Sequence, residues 1–199
     1  MKRLSLAIIF ACCTLVMAAQ EGIEVRFLGT SPDITDFAWS FATANDDDPE
    51  AETDEARNAV KAALERYRTG EPQPEGWTIT VDRKNGYLCL ESRQDSYLNK
   101  WEMCYWNMPD KKHKLFAYSL WCFDNGKPSM GQYDGLTFYR YNNATRKMTF
   151  SEAPGFEVEY VNTAYSLPRT GKDITVTRWD ENGTKTQQTL KWNDGRFSY

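Results

Sequence analysis

The amino-acid sequence predicts a mainly β domain: an antiparallel hairpin or meander sheet with one helix packed on it. An α+β class is close to this reading, and a small propeller-like arrangement is the alternative. Three observations predict it. From Trp77 onward, short aromatic and β-branched runs alternate with turn signals, among them Asn85-Gly86, Asn125-Gly126 and Asn182-Gly183. Asn-Gly between such runs is a strong hairpin signal. Seven Trp, eleven Tyr and ten Phe suit half-buried pleated surfaces and a large core. Only one segment, from about Asp54 to Arg68, repeats apolar residues at a clear helical spacing.

Met1-Lys2-Arg3, the apolar run Leu4 to Met17 and the small pair Ala18-Ala19 read as a secretory signal peptide over residues 1–19, cleaved before Gln20. Ile9-Phe10-Ala11-Cys12 gives the alternative, a lipoprotein anchored through Cys12. Residues 20–199 then form a single secreted or periplasmic domain. It divides into an N-terminal segment with the helix, 20–76, and antiparallel β structure, 77–199.

Glu24 to Leu28 alternates at its start and reads as a short first strand, and Gly29 to Asp33 as a turn. Phe37-Ala38-Trp39-Ser40-Phe41 alternates large and small, which puts three rings on one face of a strand; a helical turn is the other reading. The acidic run Asp46 to Glu55 leads into Ala56, Val60, Ala63, Leu64 and Tyr67 at helical spacing. Asp48 with Pro49, or Thr53, can cap the start, and Gly70 can close the end in a left-handed conformation. Arg66 and Arg68 near the end complement the helix dipole. Glu71 to Gly76 is a stiff connector.

The strand runs are Trp77 to Val81, Tyr87 to Ser92, Trp101 to Trp106, Leu115 to Phe123, Leu136 to Tyr141, Lys147 to Phe150, Phe156 to Val161, Ile174 to Trp179 and Thr186 to Trp192, with Arg196-Phe197 at the end. Ile79 to Arg83, Leu136 to Arg140 and Ile174 to Arg178 share the form apolar-Thr-apolar-x-Arg, at unequal spacing. Repeated hairpins explain that form; it also underlies the propeller-like alternative.

The signal-like start, the hairpin Leu136-Thr137-Phe138-Tyr139-Arg140-Tyr141-Asn142-Asn143 and the ending Leu190-Lys191-Trp192-Asn193-Asp194-Gly195-Arg196-Phe197 resemble secreted β-rich proteins of Bacteroides-type bacteria, many without an assigned function. The resemblance implies an envelope location and transfers no site residues.

At 41% hydrophobic and 26% charged, the chain has the balance of an ordinary globular protein. Without residues 1–19, 22 basic groups face 28 acidic ones. An acidic domain with no basic cluster is a poor partner for nucleic acid or for an anionic membrane surface. No run after the signal is long enough to span a bilayer.

Catalytic signatures are weak. His113 is the only histidine and lies in the polar connector Asp110 to Lys114. That argues against a triad, a Cys–His dyad and a histidine zinc site. The acidic run could attract calcium, yet it lacks the EF-hand spacing and glycine, and helix N-terminal charge accounts for it. No cofactor or metal is implied.

Cys89, Cys104 and Cys122 follow the signal. An oxidising compartment permits a bridge, and Cys89–Cys104 is the expected one because both lie in neighbouring strand runs. That register sets Tyr87 opposite Trp106 and Glu91 near Glu102. Aromatic rings beside acids are what a carbohydrate-binding face offers, so Tyr87, Glu91, Glu102 and Trp106 are the candidate ligand-binding residues. The competing reading makes this a second packed face under other strands or the helix. The expected function is non-enzymatic binding of a glycan, peptide or envelope protein. A carboxylate-dependent glycan hydrolase and a structural component of a surface complex are the alternatives.

Overall fold

A computed structural model describes residues 22–44, 55–129 and 135–199. The expected signal peptide, the cap positions Asp48, Pro49 and Thr53, and the acidic run up to Asp54 lie outside these residues. The structure is mainly β and antiparallel, with two helices. The large sheet contains β1 (Ile23–Glu24), β2 (Trp77–Asp82), β3 (Tyr87–Gln94), β4 (Tyr97–Asn107), β5 (His113–Asp124), β6 (Lys127–Pro128), β7 (Gly135–Asn142) and β8 (Lys147–Ser151). Its order is β1-β8-β7-β5-β4-β3-β2, with β6 beside β5. A smaller sheet, in the order β12-β11-β10-β9, is built from β9 (Thr163–Ser166), β10 (Ile174–Trp179), β11 (Lys185–Asn193) and β12 (Arg196–Ser198). Strands adjacent in sequence pair because short turns join them, as a meander requires.

Side-chain alternation splits the large sheet into two buried faces. Leu88 and Leu90, Trp101 and Met103, Phe116 and Tyr118, and Tyr141 face the helices. Tyr87 and Cys89, Cys104 and Trp106, Leu115 and Ala117, and Leu136 and Phe138 face the small sheet. The small sheet returns Tyr165, Ile174, Val176, Leu190 and Phe197 to that second core. The result is layered, with helices on one face of the large sheet and the small sheet on the other. The apolar-Thr-apolar-x-Arg segments fall on β2, β7 and β10 of these two sheets, an arrangement that is not a propeller.

Two helices, rather than one, cover the first face. Helix α1 (Ile34–Ala42) occupies the segment whose alternation suggested a strand. Ile34, Phe37, Ala38, Phe41 and Ala42 are spaced as one helical stripe and are buried. Its start is fixed by a capping box. Asp33 Oδ1 accepts from the Thr35 and Asp36 amides at 2.7 and 3.3 Å, and Asp36 Oδ2 accepts from the Asp33 amide at 2.9 Å. Trp39 leaves the Phe37–Phe41 face and lies under Arg68, 4.3 Å from guanidinium carbon to ring centroid. Helix α2 (Glu55–Thr69) ends as expected at Gly70, with φ +75°. The Glu71 amide reaches back to the Arg66 carbonyl at 2.9 Å, closing a Schellman turn. Val60, Ala63 and Leu64 are buried in the core shared with α1, and the helix docks on α1 rather than mainly on the sheet.

Other differences follow from pairing. Phe156 to Val161 is not a strand. Phe156 and Val158 do turn inward on the second core, so the alternation reflects real burial, but the segment has no ladder partner. The neighbouring strand is β9, whose four residues were too short to stand out. Strand β4 begins at Tyr97 and forms a tight hairpin with β3 through Asp95-Ser96.

Leu64 is fully buried, whereas Tyr67, the last residue of the same stripe, is 38% exposed. Denaturant unfolding of Leu64→Ala is expected to show a loss of about 2–5 kcal/mol, the range for a truncated core leucine. Tyr67→Ala should cost less than about 1 kcal/mol. Equal effects would mean that α2 is not docked through Leu64.

Candidate functional site

The four residues expected to form a ligand face lie close together but are mostly interior. Tyr87 is 5% exposed, Trp106 4% and Glu102 2%. The β3–β4 register pairs Tyr87 with Cys104, Cys89 with Glu102 and Glu91 with Lys100. It is offset by two residues from the expected one, because the hairpin turns at Asp95-Ser96 rather than further along the chain. Trp106 donates from Nε1 to the Lys172 carbonyl at 2.9 Å and stacks on Trp192, with centroids 5.7 Å apart. It anchors the small sheet. The platform of Tyr87, Glu102 and Trp106 is therefore an inner face beneath that sheet.

The expected Cys89–Cys104 disulfide is absent: Cys89, Cys104 and Cys122 are all thiols. Cys89 and Cys104 sit on one face but diagonally across the β3–β4 pair. Side chains so placed are about 7–8 Å apart, while a disulfide needs Cβ atoms within about 4.5 Å. Cys122 projects from the opposite face of β5, which also excludes a Cys104–Cys122 bridge.

Glu102 is the hub of this region. Its Oε1 accepts from Tyr87 Oη at 2.5 Å and lies 3.3 Å from Lys100 Nζ. Its Oε2 accepts from the Leu167 amide at 3.2 Å and from Trp121 Nε1 at 3.4 Å. Beside it, Ser119 Oγ donates to the Tyr165 carbonyl at 2.7 Å. Burial, with Glu102 and Cys89 adjacent, pushes the Tyr87 hydroxyl well above its ordinary pKa. Burial also pushes the Cys89 thiol up to about 11 and the Cys104 thiol well up.

Lys100 leads from this hub to the surface. It bridges Glu102 and Glu91, the latter at 3.5 Å, and lies 4.9 Å over the Trp121 ring. Burial favours its neutral form, but Glu102, Cys89 and Glu91 outweigh that and raise its pKa above the ordinary lysine value. It stays an ammonium and cannot serve as a base or nucleophile at neutral pH.

Beyond Lys100 the same sheet face emerges from under the small sheet. Trp121 and Phe123 meet edge to face at 5.2 Å, and Phe123 meets Trp179 of β10 at 5.4 Å. All three are partly exposed and form a row joining the two sheets. Recesses flank the Gly126 turn. One, of about 270 Å³, is lined by Trp121, Phe123, Leu98, Tyr97 and Arg93; the other, of about 430 Å³, by Trp179, Lys127, Asn162, Asp180 and Asn182. Arg93 lies 3.8 Å from Glu91. Of the expected site residues, Glu102 borders this row through Trp121 Nε1 and Glu91 through Lys100.

No local sequence motif marks Trp121, Phe123 and Trp179 as site residues. The available signal was the β5 alternation Leu115, Ala117, Ser119, Trp121, Phe123, in which the large rings sit beyond the small residues that admit the second sheet. His113 does not enter this region; its Nδ1 lies 2.6 Å from Asp110 Oδ2 in the turn before β5. No protein-family model matches the chain, nor does any curated protein or solved structure.

Thiolate is the reactive form of cysteine, and a pKa near 11 leaves roughly one part in a thousand ionised at pH 8. Ellman titration of native protein at pH 8 should therefore leave Cys89 and Cys104 unreacted, and denaturation without reductant should release both. Persistent loss of both thiols in denaturant would mean that they are bridged.

Proposed function

We propose that the protein is a secreted or periplasmic, non-enzymatic binding protein of the bacterial envelope that seats a glycan on the Trp121–Phe123–Trp179 row. The observation that carries this reading is the row itself: partly exposed indole and phenyl rings flanked by Arg93, Asn162, Asp180 and Asn182. Sugar rings present apolar C–H faces that stack on aromatics and hydroxyls that hydrogen-bond to amides, acids and guanidinium groups. The signal-like start and the resemblance to secreted Bacteroides-type proteins support the envelope location.

Binding is favoured over carboxylate-dependent hydrolysis by how the two acids beside Trp121 and Lys100 are engaged. Glu91 and Glu102 share Lys100, and Glu102 also accepts from Tyr87, Trp121 and the Leu167 amide. A general acid must carry a proton it can donate to the leaving group, and a nucleophile needs a free oxygen facing the sugar. Both oxygens of Glu102 are taken up by interior donors, so neither faces a sugar on the row.

Trp121→Ala in the mature chain is expected to weaken binding of neutral oligosaccharides at least about tenfold, the loss given by an aromatic anchor worth about 1.4 kcal/mol. The readout is tryptophan fluorescence or calorimetry across a panel of host and microbial glycans. Wild-type binding that survives both Trp121→Ala and Trp179→Ala would remove the row from the site. Hydrolysis of a panel member would replace binding with catalysis.

A further inference from the structure

At the other end of β5, and on its helix-facing side, lies a further recess of about 340 Å³, bordered by Lys114, Arg146, Thr30, Ser31, Asn143 and Phe27. Both of its cations are held in place. The Lys114 ammonium lies 4.6 Å over the Tyr105 ring and donates to Asn107 Oδ1 at 2.8 Å. Its pKa is lowered by burial alone. The Arg146 guanidinium lies 4.9 Å over the Phe27 ring. Among the described residues neither cation has a carboxylate within ion-pair distance.

The nearby acids are engaged elsewhere. Asp33 caps α1 and pairs with Arg83 at 3.2 Å, Asp36 accepts from the Asp33 amide, and Asp110 holds His113 and Arg140. None of them borders the recess.

The backbone of Arg146 gives an independent observation. Residues 143–146 join β7 to β8, as residues 83–86 join β2 to β3, and the last turn residue is left-handed in both. In the β2–β3 turn that residue is Gly86, φ +66°, the type favoured there; in the β7–β8 turn it is Arg146, φ +56°. A long cation thus occupies a position whose backbone favours glycine. The conformation fixes where the Arg146 side chain leaves the turn. The Arg146 carbonyl accepts the Val25 amide at 2.8 Å, which fixes the turn against the N-terminal strand.

We infer that this recess binds a small oxyanion-bearing molecule, a carboxylate or phosphate the size of a single acidic sugar, with Lys114 and Arg146 supplying the charge. Thr30, Ser31 and Asn143 offer neutral hydrogen-bonding groups, and the Phe27 ring offers an apolar wall. Two fixed cations without counter-charges favour such a ligand, and a volume of this size sets its limit. The site lies on the face opposite the aromatic row and does not depend on it.

The test is titration of the mature protein with inorganic phosphate and, separately, with glucuronate, followed by amide chemical shifts. Saturable shifts in residues 27–32 and 141–146 are expected with at least one probe, weakening as sodium chloride rises. The probe bound more tightly assigns the oxyanion. Arg146→Gly should remove at least about nine-tenths of the affinity while keeping the fold, because glycine is at ease in that turn. Lys114→Met should have the same effect on binding, and Trp121→Ala should have none. Absence of saturable shifts with both probes, or undiminished binding in Arg146→Gly, would overturn the inference.

Discussion

The architecture depends on one buried carboxylate. Glu102 sits mid-strand in β4, 2% exposed, where an isolated charge would be strongly disfavoured. It is tolerated because Tyr87, Lys100, Trp121 and the Leu167 amide all point at it. Those donors come from β3, β4, β5 and the segment leaving β9. One side chain therefore ties the centre of the large sheet to the edge of the small one. A buried ion pair need not stabilise more than an apolar replacement would, but removing one partner is costly. The stronger consequence is positional: the small sheet docks with β9 over Ser119 and Leu167 over Glu102.

That docking governs where a ligand can reach the large sheet. Both faces are used for cores, the helices on one and the small sheet on the other, which buries the middle of the central strands. Toward the Gly126 turn the second face becomes accessible where β9 and Leu167 end. There the same alternation that buries Ala117 and Ser119 presents Trp121 and Phe123. Lys100 spans the boundary, with its ammonium between Glu102 and Glu91 and against the Trp121 ring. The aromatic row is thus positioned by the polar hub, which it meets through Trp121 Nε1 on Glu102.

Much of the fold was legible in local signals. Asn85-Gly86 placed the β2–β3 turn, Gly70 the end of α2, and the strand alternation separated the two faces of β3 and β4, of which the one bearing Tyr87 and Trp106 was expected to bind ligand and is buried. The β3–β4 register was not legible, because Asp95-Ser96 is a weak turn signal and Asn99-Lys100 separates Tyr97-Leu98 from the apolar run beyond. A two-residue shift then exchanged Trp106 for Cys104 opposite Tyr87 and suggested a disulfide that the geometry forbids. Helix α1 was misread because Phe37, Trp39 and Phe41 also fit period two; the capping pair Asp33 and Asp36 was the cue that distinguished the helix. The aromatic row was the least visible feature. Trp179 comes from a different sheet, and its approach to Phe123 is a long-range consequence of docking that no local pattern encodes.

The most direct test of this account is Glu102→Gln, followed by both unfolding and amide hydrogen exchange. Gln keeps the shape but removes the charge facing Lys100 and half of the accepting capacity. The account predicts a loss of about 3–5 kcal/mol in global stability, the range for breaking a buried pair. It also predicts that the Leu167 amide loses protection while the β7–β8 hairpin stays protected relative to the new global limit. A variant that melts within about 0.5 kcal/mol of the wild type and retains Leu167 protection would contradict the claim that Glu102 holds the two sheets together.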